Sequence, residues 1–197
     1  MTDVAIPLPE AAAPAKPGVI VPVRGLPIVG AVLIGVVWAI AANSAWGLTF
    51  CHVVGGGLWT AIDLFVGFIV GPIIGSMSIP ARVEFSKRFM PKMLLIMPTV
   101  VTMTLAAGFQ LARVNGYLDT SNPRHGWVVA SFCVVGVMAV IALAYLEPAN
   151  VAVLFELRKP QPDGRVIEKL MRRFIYTAGI TGVMQVATLI IMTRLAS

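Results

Sequence analysis

The stretch CHVVGGGLWTAIDLF, residues 51–65, sets a histidine, three glycines, a tryptophan and an aspartate inside an otherwise apolar segment. On a helix, His52, Gly55 or Gly56, Trp59 and Asp63 fall at offsets of 0, 3 or 4, 7 and 11 and share one stripe. An imidazole offers a neutral nitrogen to a metal, glycines let a backbone or a flat ligand approach, and an indole supplies a broad wall. Such a surface suits a planar macrocycle. Helical rise puts Asp63 about 16 Å beyond His52, so the two cannot serve the same atom. A carboxylate at mid-bilayer costs about 3 kcal/mol on insertion scales unless protonated or partnered. Thr102, Thr104 and Gln185 lie at comparable depth and are its candidate partners. The bland alternative is an interfacial histidine, glycines that only pack, and a neutral structural Asp63.

These residues need a scaffold, and composition specifies which kind. Of 197 residues 58% are hydrophobic and 12% charged, with mean hydropathy +0.88, which places the chain in a bilayer. About 20 apolar residues cross a hydrocarbon core, and five runs of that size occur near 27–46, 49–75, 91–112, 126–146 and 173–195. No run alternates polarity as a barrel strand must, so the fold class is an all-α integral membrane protein of five spans, the last four forming a bundle. Twelve basic residues fall on one side of these spans and only Arg113, Arg124 and Arg194 on the other, which predicts an N-in, C-out chain in the inner (cytoplasmic) membrane. The charge of +6 is then a topology signal and a means of contacting anionic lipid; no nucleic-acid partner is implied. Residues 1–25, rich in Pro and Ala, are expected to form a flexible cytoplasmic tail, with 26–197 a single transmembrane domain. AANSA at 41–45 offers small residues at a cleavage point, but the long preceding arm with Asp3 and Glu10 favours an uncleaved first span. VEFSKRF, between Pro80 and Pro91, reads as a short interfacial helix, EPAN at 147–150 as a break or kink, and KPQPDG at 159–164 as a loop.

Other candidates are fewer. His125 lies at the outer start of the fourth span, on the same side as His52, and two such histidines could clamp one haem iron, with Arg113 or Arg124 paired to propionates. A solvated turn histidine is the simpler reading. Met90, Met93 and Met97 follow helical spacing and are soft ligands suited to Cu(I), or ordinary core filler. Cys51 and Cys133 are expected to be buried thiols, able to pair only if the second and fourth spans touch. No nucleophile elbow, phosphate-binding glycine loop, H-E-x-x-H or C-x-x-C occurs.

The pattern H-x-x-G-x-x-x-W, here His52, Gly55 and Trp59, resembles the opening of the membrane proteins related to HemJ, the protoporphyrinogen oxidase, and to the CopD copper-resistance proteins. FSKRFMPKMLLIMPT, with Ile96-Met97-Pro98, is similar to the next helix of that group, and Gly126-Trp127 and Ala144-Tyr145 to a later one; the similarity covers roughly 48–146. The resemblance implies a bundle in which His52 is an axial ligand to haem b. It does not extend to the oxidase reaction: Gly71-Pro72-Ile73 lacks the basic residue expected there, Val128, Val129 and Ala130 replace a lysine, and Leu146 a histidine. The leading expectation is therefore a haem-b-binding protein in electron transfer or redox work with a membrane partner or a second copy of itself. The alternatives are copper or proton transport past Asp63 and the methionines, or a structural subunit.

Overall fold

The computed structural model describes residues 20–196; most of the expected tail lies outside the described residues. Five helical segments are long and apolar enough to cross a membrane: Val23–Ala41, Ala45–Ser76, Ile79–Val114, His125–Glu156 and Gly164–Leu195. They are built from helices α1 (Leu26–Ala41), α2 (Ala45–Phe65), α3 (Gly71–Ser76), α4 (Ile79–Val114), α5 (His125–Ile141), α6 (Glu147–Glu156) and α7 (Gly164–Ala196).

The ends follow from local chemistry. Asn43 takes a left-handed φ of 46° between α1 and α2, and Ser44 caps α2 by accepting the Gly47 N–H at 3.2 Å. Gln110 Nε2 donates to Asn43 Oδ1 at 2.6 Å, which ties this turn to α4. Asp163 caps α7 by accepting the Arg165 N–H at 2.8 Å.

Two spans contain a π-helical turn, Val66–Val70 before α3 and Ala142–Leu146 before α6. Each stands just ahead of a proline, Pro72 or Pro148. Proline lacks an N–H and its ring crowds the carbonyl four residues back, so an α-helical turn there would be strained. The wider turn bonds Gly71 N–H to Val66 O and Glu147 N–H to Ala142 O, which reseats the chain before the proline. The expected break at EPAN is thus a π turn in a span that continues to Glu156. The separate VEFSKRF helix is likewise corrected: those residues belong to one 36-residue helix that runs through Pro91 and Pro98. Ser86 and Met90 within it are fully buried, so the segment is held by core packing rather than lying on a surface.

α2, α4 and α7 pack on one another, α5 and α6 lie on α7, α6 also reaches α4, and α1 rests against α4 and α2. The main core gathers Trp59, Val66, Met90, Met97, Met138 and Phe174 among others. A second, smaller cluster of Val36, Ala39, Leu48, Cys51, Met103 and Ala107 attaches α1. The tightest approach joins the second and fifth spans, where a Cβ added at Gly67 would meet Gly179 Cα at 2.5 Å. Small residues are what permit backbones to come this close in a bilayer, where packing drives helix association. Gly67→Ala is therefore expected to lower stability by about 1–3 kcal/mol in detergent unfolding. Gly57→Ala, whose methyl would meet nothing within 4 Å, should stay within about 0.5 kcal/mol of the parent.

Candidate functional site

The stripe on α2 faces protein over most of its length, but it serves two different neighbours. At its outer end His52 Nδ1 lies 2.9 Å from the carbonyl oxygen of Thr104 on α4. The ring is seated against Gly108, where an added Cβ would come within 2.5 Å of it. Gly55 is buried against the same helix: its absent side chain makes room for Thr104 Oγ1 and Met103 Cε, which an added Cβ would meet at 2.5 and 2.8 Å. Gly56 faces Thr104 Cγ2 at 3.6 Å. The expected clearance for a flat ligand is thus taken up by α4, because two helices with glycines at facing positions close on each other.

Further in, the stripe turns to α7. Asp63 is 2% exposed, and its Oδ2 accepts from Thr181 Oγ1 at 3.0 Å and Gln185 Nε2 at 2.9 Å. Gln185 Oε1 faces Thr60 Oγ1, whose one hydrogen serves either that oxygen or Gly56 O at 2.8 Å, so the amide spans both helices. Trp59, one turn before Asp63, is 6% exposed and belongs to the main core. No cation lies within ion-pair distance of Asp63 among the described residues, so all its named partners are neutral. Thr181 Oγ1 is also 3.1 Å from Thr177 O and 3.0 Å from Ala178 O. A hydroxyl has one hydrogen, so it can serve only one of these three acceptors at a time.

Of the partners expected for Asp63, Gln185 is present, while Thr102 is exposed and Thr104 turns its hydroxyl to Val100 O. Sequence reasoning missed Thr60 and Thr181. The signal was available: Thr177, Thr181 and Gln185 recur every fourth residue on α7, a polar ridge along an apolar span.

His125 is not brought to His52. Its Nδ1 lies 3.2 Å from Tyr117 O within the turn between α4 and α5, and α5 packs on α7 rather than α2. The turn is self-contained: Asp119 accepts from the backbone and hydroxyl of Ser121, which, with a lesser contribution from His125, hold its carboxyl below the usual range. Arg113 Nη1 donates to Gln110 Oε1 at 3.4 Å, and Arg124 lies over the Tyr117 ring. Met90, Met93 and Met97 are buried in the main core. Cys51 and Cys133 are both free, and Cys133 is exposed rather than buried. No group of three or more His, Cys, Asp or Glu side chains suited to a metal occurs among the described residues.

Comparison with protein-family profiles, with curated proteins and with solved structures yields no match. Thr60→Val, which strips the amide of its donor, is expected to cost about 1–3 kcal/mol of stability. Gln185→Leu in the same background should cost less than it does alone, with a coupling near 0.6 kcal/mol in a double-mutant cycle. Additive losses would show that the two side chains do not act together.

Proposed function

We propose that the chain is a five-span protein of the cytoplasmic membrane, amino end inside and carboxyl end outside, whose working centre is a proton-accepting Asp63 serving transport across that membrane. The orientation is supported by the basic residues Arg82, Lys87, Arg88 and Lys92 that follow the 77–78 turn, by Arg158 and Lys159 in the 157–163 turn, and by Arg24 just before α1. The observation that carries the functional reading is the carboxylate's setting: deep in a span, 2% exposed, with no cation in ion-pair range among the described residues, and bonded by a hydroxyl that can turn. An ionisable residue so placed is expensive and in membrane proteins commonly marks a proton or ion site.

The Thr181 hydroxyl gives the site two satisfied states. With Asp63 charged, its hydrogen points at Oδ2. With Asp63 protonated, that hydrogen returns to Thr177 O or Ala178 O, and the acid's own O–H donates to the Thr181 oxygen, so no buried donor is stranded. Gln185 Nε2 faces the acid in both states. Proton uptake thereby reverses the direction of one link between the second and fifth spans while leaving their packing intact. The buried methionines are filling the core here, so the reading stops at protons and does not extend to copper. In liposomes carrying an internal pH dye and a potassium diffusion potential, the parent chain is expected to admit protons and Asp63→Asn to abolish that flux. A parent without flux, or an Asp63→Asn variant that matches it, would sink the proposal.

A second reading, favoured by one contact, is haem b at His52. A ring nitrogen donating to a backbone carbonyl is how metal-binding imidazoles are commonly oriented, and with the proton on Nδ1 it leaves Nε2 as the nitrogen with a lone pair. The surrounding residues do not form a haem slot within one chain, since α4 covers Gly55 and Gly56 while His125 and Arg113 are engaged elsewhere. A haem would have to sit between this bundle and a second copy or another membrane protein, where it would supply one-electron transfer. Purified protein is then expected to show a Soret band that is lost in His52→Ala and kept in His125→Ala.

A further inference from the structure

A cavity of about 320 Å³ opens where α3, the start of α4 and the first turns of α7 meet, lined by Gly71, Gly75, Arg82, Glu168, Arg172 and Tyr176 together with apolar side chains. Its polar end has a definite charge. The Arg82 guanidinium is fully engaged, donating from Nε to Met77 O at 2.9 Å and from Nη2 to Gly75 O at 2.8 Å, with Nη1 2.5 Å from Glu168 Oε1. Arg82 and Glu168 therefore cancel. Arg172, one helical turn beyond Glu168, has no hydrogen-bond or ion-pair partner among the described residues. One uncompensated positive charge remains at the mouth.

The other end is apolar. The lining runs from Gly75 to Gly67, eight residues or about 12 Å toward the middle of the span. A Cβ added at Gly75 would meet nothing within 4 Å, so space is open there, next to Arg82, whereas one at Gly71 would meet Ile175 Cγ2 at 2.6 Å and one at Gly67 would meet Gly179 Cα at 2.5 Å, so the cavity closes inward. Tyr176 stands exposed on the rim, an amphipathic ring of the kind enriched at headgroup depth.

We propose that this cavity binds one anionic phospholipid of the inner leaflet, its phosphodiester against Arg172 and the upper part of one acyl chain over the floor at Gly75. A single negative charge matches the single unpaired guanidinium, and a lining that sets Ile74, Met171 and Ile175 beside Arg172 matches a lipid better than a free anion. The inference rests on the placement of the chain in a membrane and not on proton binding at Asp63, so Asp63→Asn leaves it untouched.

Native mass spectrometry of the full chain in detergent tests it, with phosphatidylglycerol, phosphatidylcholine and glycerophosphoglycerol added in turn. One phosphatidylglycerol per chain is expected to bind in preference to phosphatidylcholine, and the soluble headgroup alone to bind far more weakly. Arg172→Gln should weaken phosphatidylglycerol about fivefold, the effect of one basic residue near an anionic surface. Gly75→Leu, which fills the floor without altering charge, should weaken both lipids. Arg158→Gln, a basic change outside the cavity, should do neither. Equal binding of the two lipids, headgroup binding as tight as lipid binding, or equal losses in Arg172→Gln and Arg158→Gln would each overturn the proposal.

Discussion

A carboxylate buried without a cation constrains everything around it. Asp63 can occupy the interior only if neighbouring spans bring donors to it, and the donors come from one partner helix, α7. That requirement fixes the rotation of α7, since Thr181 and Gln185 must both face α2, and it fixes the distance, since a threonine hydroxyl reaches only if the backbones are close. Gly67, Gly179 and Gly182 supply the closeness. Polar matching and small-residue packing are thus two halves of one interface, the first choosing the register and the second permitting it.

α4 meets the other end of the same stripe by a different device. There His52 spans the gap and Gly108 yields space to it, while Gly55 yields space to Thr104 and Met103 in return. The exchange is reciprocal: each helix contributes a bulky group opposite the other's glycine. α2 is thus held on two sides, by α4 and by α7, while α5 and α6 pack on α7. α1, held by a small cluster and exposing Ile34, Val37 and Trp38, is attached to the bundle rather than part of it.

Much of this was legible beforehand because lipid simplifies the code. Five apolar runs, the turn at Asn43 and Ser44 and the inward stripe from His52 to Asp63 all follow from length, punctuation and period. What escaped was pairing. Nothing in the residues near Gly55 says whether its missing side chain admits a ligand or a helix, and that choice decides between a cofactor slot and a packed seam. Thr181 escaped because one hydroxyl in an apolar helix carries little weight alone; only its repeat with Thr177 and Gln185 distinguishes it. Prolines misled in the opposite sense. Pro91 reads as a boundary, yet a long helix pressed into a core tolerates the loss of a single backbone bond there, as it does at Pro98.

The wide turn ahead of Pro72 has a consequence for how the second span can change. It stores one residue more than an α-helical turn, so the side chains above and below it are out of phase by about 100° relative to an unbroken helix. Loss of a single residue there would restore an unbroken α-helix and leave Gly71 and Gly75 on the α7 side, whereas loss of a residue elsewhere in the span would turn them off it. The joint therefore absorbs a change of length that the rest of the span cannot, and an alignment with its gap at this turn still compares like faces.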